Sequence, residues 1–115
     1  MQMIIEALLI GAALLVGGSL VAKYWNSIVD WLKRCLQKVK QVIKTAVYGT
    51  KVFIKKIGEA IEEISKHYAK ENGRWQETVI TRKVNERDVP EDIRAMAQKY
   101  RETDITDELE AQLTR

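Results

Sequence analysis

Residues 4–22, IIEALLIGAALLVGGSLVA, carry a single charge, at Glu6. As one helix they would extend about 28 Å, close to the thickness of a bilayer's hydrocarbon core. Lys23, Tyr24 and Trp25 follow directly, the residue types expected where a helix enters the headgroup layer. The run therefore predicts a transmembrane helix over 1–23. A cleaved signal peptide fits less well, because Met, Gln and Glu stand where a positive n-region belongs. A helix buried in a water-soluble core needs apolar partners on every side, and the polar remainder of the chain does not suggest them.

Charge orients this prediction. Residues 23–56 hold eight Lys and one Arg against one Asp, whereas from 57 onward ten basic residues face fourteen acidic ones. The positive-inside rule then puts the short N-terminus outside and everything after Lys23 in the cytoplasm, with the chain in the inner membrane. Small residues four apart, at Ala7/Gly11, Ala13/Gly17 and Gly18/Ala22, allow close backbone approach in lipid and predict self-association of the span. Glu6 is assigned to the outer interface or to a polar lumen between subunits.

Over 24–60 the apolar residues Ile28, Val29, Leu32, Cys35, Leu36, Val39, Val42, Ile43, Ala46, Phe53, Ile57 and Ala60 recur at three and four, which predicts one long amphipathic helix. Lys33, Arg34, Lys38, Lys40, Lys44, Lys51 and Lys55 form its basic face. With Lys23, Tyr24, Trp25 and Trp31 at the membrane interface, this helix fits a surface of anionic lipid. An ordinary solvated face, its apolar stripe packed on neighbouring subunits, fits the same residues. Gly49 marks a break or kink.

The pattern changes over 61–86. Ile64, Lys66, Tyr68 and Lys70 alternate with their neighbours, Asn72-Gly73 follows, and WQETVITRKV is rich in β-branched residues. This predicts a hairpin with strands near 63–70 and 75–84. The competing reading continues the helix to Glu71 and uses Asn72-Gly73 as its C-cap. Residues 87–115 read as an acidic helical tail. One helix starts at Asp88-Val89-Pro90-Glu91, and a last one is capped by Thr106, with Ile105 as anchor and Leu109 and Leu113 on one side.

Catalytic chemistry is sparse. His67, Cys35 and scattered carboxylates assemble no triad, no metal-ligand spacing and no phosphate loop. His67 reads as a surface residue of a strand, and Cys35 as a small core residue. The fold class expected is a mainly α membrane protein with one N-terminal span, and no enzyme, metal or cofactor is implied. The leading functional expectation is a self-assembling, homo-oligomeric membrane protein, with a pore or membrane disruption as consequence. The alternative is a membrane-tethered adaptor whose hairpin and acidic tail recruit a cytoplasmic protein. Nucleic acid is the weakest partner class, because the basic segment has no interleaved aromatics for base stacking.

Overall fold

A computed structural model describes residues 4–11, 15–98 and 101–113. The elements are α1 (Glu6–Ile10), α2 (Leu20–Val42), β1 (Val47–Ile57), β2 (Ala60–Glu71), β3 (Arg74–Asn85), a 3-10 turn (Glu86–Asp88), α3 (Glu91–Ala97), β4 (Thr103–Asp104) and α4 (Thr106–Leu113). The strands form one antiparallel sheet in the order β3-β2-β1-β4. Helix α2 covers one face of this sheet, making a two-layer α+β fold.

The expected spanning helix is not there. Among the described residues no helix is long and apolar enough to cross a membrane. Helix α1 ends after five residues at Gly11, and the chain bends through Gly17, held at φ +111°, and Gly18 before Ser19 starts α2. The Ser19 hydroxyl accepts from Ala22 N–H at 3.2 Å, satisfying a donor the helix leaves free. Ile4 is drawn out of the run altogether: it exchanges two backbone hydrogen bonds with Thr50, at 3.0 and 2.8 Å. Ile4, Leu9 and Ala22 are buried. The apolar surface that bilayer lipid was expected to cover is covered in part by the chain's own sheet and α2. The mainly α membrane fold, the inner-membrane placement and the membrane-protein assignment built on the span are corrected accordingly.

The long amphipathic helix is likewise shorter than expected. Its stripe is real from Ile28 to Val39, where Ile28, Val29, Leu32, Cys35, Leu36 and Val39 are all buried. Beyond Val42 the chain becomes β1. There Thr50, Val52 and Ile54 point into the core, and Lys51, Phe53 and Lys55 point away. The density of β-branched residues favours the pleated alternative. Spacings of three and four hid this, because Phe53 and Ile57 stand four apart, a separation that fits both periods.

Two tight turns set the sheet's register. Gly58, at φ +58°, lies between the paired residues Ile57 and Ala60. Asn72 and Gly73, at φ +53° and +77°, join β2 to β3. Positive φ at both central positions suits the right-handed twist of a hairpin. The hairpin strands run Ala60–Glu71 and Arg74–Asn85, through twelve consecutive pairs without a register shift. They continue into β1 rather than standing alone.

The far side of β1 is closed by the C-terminal elements. Thr103 and Asp104 pair with Ile54 and Phe53. Ile105 N–H donates to Val52 O at 2.9 Å, and the Thr106 hydroxyl accepts from Val52 N–H at 3.0 Å. Val89, Ile93, Ala97, Ile105 and Leu109 are buried against the main core, so the acidic tail docks through its apolar side. Helix α3 starts at Glu91 after Pro90, with no side-chain cap.

Candidate functional site

Each face of the sheet has its own chemistry, dictated by alternation along the strands. The face under α2 carries Thr50, Val52, Ile54, Ile61, Glu63, Ser65, His67, Ala69, Ile80, Arg82 and Val84. The other carries Lys51, Phe53, Lys55, Glu62, Ile64, Lys66, Tyr68, Trp75, Glu77, Val79, Thr81 and Lys83.

The residues singled out from the sequence are dispersed. Trp25, Trp31 and Tyr24 are core residues beneath α2, and only Lys23 of that group is exposed. Arg34, Lys38, Lys40 and Lys44 are exposed on or just after α2, with Lys33 half-buried, whereas Lys51 and Lys55 lie on the open sheet face at the opposite side of the molecule. Helix α1 contains Ala7, and Gly11 ends it. Gly17 and Gly18 form the bend, Ala22 is buried in α2, and Ala13 lies outside the described residues. Among the described residues no single helix face presents these small residues. Glu6 is paired with Lys40, which places it against α2 instead of a lumen or outer interface.

Most of the polar chemistry under α2 was invisible in the sequence. Glu63 is fully buried and stands directly across the β2–β3 ladder from Arg82. Arg82 Nε donates to Glu63 Oε1 at 2.5 Å, and Arg82 Nη2 donates to Ser27 Oγ at 2.9 Å. The guanidinium also lies 4.7 Å from the centre of the Trp31 ring, a cation–π contact. Burial raises the Glu63 carboxyl above the usual range, and Arg82 opposes that shift. The Tyr24 phenol is pushed up as well, by burial first and by the Glu63 charge second. The Tyr24 phenol and the Glu63 carboxylate also interact through a side-chain hydrogen bond, which raises the pKa of the first and lowers that of the second. Both residues line a cavity of about 310 Å³ with Leu20, Lys23, Ser27, Arg82, Val84 and Asp88.

His67 belongs to a second buried group and is not the surface residue expected. Its Nδ1 lies 2.9 Å from Thr50 Oγ1 and its Nε2 3.1 Å from Ser65 Oγ. Ser65 Oγ donates to Ile80 O at 3.1 Å. With its proton committed there, Ser65 accepts from Nε2–H, and Nδ1 accepts from the Thr50 hydroxyl. Every ring nitrogen is thereby satisfied with the imidazole neutral, and burial lowers its pKa to about 4. Among the described residues no three His, Cys, Asp or Glu side chains are placed to hold a metal ion.

The open face and the β3 edge are the surface feature that most lacks a partner. Trp75 is 61% exposed, Tyr48 57% and Val79 46%. Tyr48 and Trp75 form an edge-on pair with ring centres 5.3 Å apart. Lys70 lies 5.8 Å from the Trp75 ring centre, and Lys66 4.4 Å from that of Phe53. Lys66 is also paired with Glu102 at 2.9 Å. Tyr68 in the same patch is pushed up to about 12 by burial and by its hydrogen bond to Glu77. A sequence signal for this patch existed in the alternation of WQETVITRKV; what it lacked was the neighbouring strands.

The outer side of β3 pairs with no strand among the described residues. Comparison with family models, curated proteins and solved structures finds no significant match.

Proposed function

We propose that this chain is a non-enzymatic, self-associating interaction module whose copies join by pairing β3 with β3 into a continuous sheet. The contrast between the two sheet edges carries this reading. On the β1 side, Ile4, β4, Ile105 and Thr106 occupy the outward backbone groups. On the β3 side, a strand of twelve residues is paired on one side only.

Proteins that remain single copies blunt such an edge with proline, a bulge, an inward-pointing charge or a short strand. Strand β3 has no proline, no register shift and full length; its one inward-pointing charge, Arg82, is taken up by Glu63 beneath α2. Its central run, Thr78-Val79-Ile80-Thr81, is uncharged and mostly β-branched. At about 3.4 Å per residue the edge offers roughly 40 Å of ladder.

Side-chain complementarity selects a register. A two-fold axis perpendicular to the sheet keeps each face on its own side, so residues facing each other across the junction share a face. Centring the axis on Ile80 places Val79 opposite Thr81 of the second copy and Glu77 opposite its Lys83. Centring on Val79 sets Glu77 against Thr81, and centring on Thr81 sets Val79 against Lys83. Only the Ile80 register pairs opposite charges, and symmetry makes two such pairs.

Sedimentation equilibrium on detergent-free protein at micromolar concentrations tests the proposal. A reversible monomer–dimer equilibrium is expected, with the β3 amides more slowly exchanging with deuterium in the dimer. A monomer throughout, with β3 amides exchanging freely, overturns it.

A further inference from the structure

We infer that the open face of the sheet binds single-stranded nucleic acid, with Tyr48 and Trp75 taking bases and the lysines beside and below them taking phosphates. Along the chain the basic segment brings few aromatics near its lysines. Strand pairing adds Tyr68 and Trp75 from the neighbouring strands and sets the Tyr48 ring against Trp75. Trp75 and Tyr48 are both exposed, and Lys70 Nζ lies 5.8 Å from the Trp75 ring centre. A nucleotide offers the matching pair of features, a π-face for the ring and a phosphate for the ammonium.

Register extends this positive charge into a track. From Trp75 and Lys70 the next row of cations, Lys51 and Lys66, comes four residues along the strands, and the one after, Lys55 and Lys83, another four. Each step is about 14 Å, so the track suits a strand of several nucleotides. On these open-face positions of β1, β2 and β3, five lysines meet two glutamates. Glu62 stands between Lys55 and Lys83 across both ladders, and Glu77 is bonded to Tyr68. Of the acids at the margin, Glu102 pairs with Lys66 and Asp104 accepts from Thr106 N–H at 2.8 Å.

Lys51 faces Lys66 directly across the β1–β2 ladder, a like-charge pairing that destabilises a sheet unless an anion answers it. Lys66 is turned to Glu102, whereas Lys51 is in no ion pair among the described residues. Lys66 also lies over the Phe53 ring, 4.4 Å from its centre, so that ring positions an ammonium and is not a base platform. The basic side of α2 has no comparable rings, because Tyr24, Trp25 and Trp31 are buried. A duplex keeps its base faces stacked inside, out of reach of Trp75. Joining two copies through β3 leaves each face on its own side, so the surface holds for one copy or two.

Fluorescence anisotropy of a labelled oligothymidylate of about sixteen nucleotides, the upper end of one module's site size, tests this on the full chain at low salt. Saturable binding is expected, at least about tenfold tighter than to the same length of duplex or to polyphosphate, which lacks bases. Tryptophan emission should be quenched on binding through Trp75, the exposed one of the three. Trp75→Ala should bind about tenfold more weakly with unchanged urea unfolding, and Trp75→Phe should recover most of the loss. Lys51→Ala and Lys70→Ala should each lower the slope of log affinity against log salt by about 0.7. Arg34→Ala/Lys38→Ala, on α2, should bind as wild type does. No saturable binding, equal affinity for duplex or polyphosphate, undiminished affinity in Trp75→Ala, or loss in the α2 variant instead overturns the assignment.

Discussion

Acidification should destabilise the fold through His67 more than through any other side chain, and the size of the effect follows from its surroundings. The imidazole is fully buried between Thr50 and Ser65, both of which bond it in the neutral form. Its pKa is lowered from 6.5 to about 4. A group depressed in this way contributes stability that is present above its unfolded value and is lost as the pH falls through the interval down to its folded value, where the unfolded chain alone takes up the proton. With these two values, linkage makes the loss between about pH 7 and about pH 5 close to 2 kcal/mol. Glu63 acts in the opposite sense: its raised pKa favours the fold below its ordinary value and loses that contribution as the pH rises through the folded value. His67→Gln provides the reference that isolates the imidazole, since glutamine offers a donor and an acceptor and does not titrate. Urea unfolding of both proteins at the two pH values gives the difference of differences. Wild type should lose about 2 kcal/mol more than the variant on acidification. Equal losses would refute the reasoning, and with it the assignment of a neutral His67 held by two hydroxyls.

Three further outcomes concern other parts of the core. Arg82→Ala leaves the Glu63 carboxylate buried without its partner and should cost about 3 kcal/mol in urea unfolding, whereas the double change Glu63→Leu/Arg82→Met should recover most of that loss. A single variant within about 0.5 kcal/mol of wild type would remove the pair from the core's essential contacts. Cys35 is buried and its thiol is pushed up by that burial, so Ellman's reagent should label it only at the rate of unfolding; prompt labelling of native protein contradicts its position. Leu36→Ala, beneath the middle of α2, should lower stability by about 2–5 kcal/mol, read by thermal or urea unfolding.

What the sequence made legible was local and periodic. The stripe from Ile28 to Val39 marks the buried face of α2, because i, i+3 and i+4 leave few alternatives when charges fill the other side. Asn72-Gly73 marks its turn because few other residue pairs tolerate two positive φ values. The errors arise where one pattern satisfies two physical solutions. Hydropathy over 4–22 measures a preference to leave water, and it does not distinguish lipid from the protein's own sheet. Glycines at 11, 17 and 18, weighed as close-packing positions in lipid, are the residues at which the helix stops and the chain bends. Between Ala46 and Ile57 the spacing obeyed a helical rule while Val47, Thr50, Val52, Ile54 and Ile57 favoured a strand. The polar clusters lay out of reach for a different reason. Glu63 meets Arg82, and Thr50 meets His67, only through strand register, and register emerges once turns and faces are fixed together. His67 and Glu63 therefore looked like ordinary polar positions of an alternating strand.

The charge-swap cycle at Glu77 and Lys83 addresses self-assembly through β3 most directly. Glu77→Lys faces each junction lysine with another lysine, and Lys83→Glu sets glutamate against glutamate; the double swap restores opposition in the Ile80-centred register. Exposed pairs contribute up to about 1 kcal/mol each and there are two per dimer, so either single change should weaken dimerisation by about tenfold, with greater effect at low salt. Sedimentation equilibrium should then find the double swap returned to within about twofold of wild type, since the coupling of the two sites is what such a cycle isolates. Dimerisation that ignores all three variants, or a double swap no stronger than the two singles combined, would contradict assembly through this edge in this register.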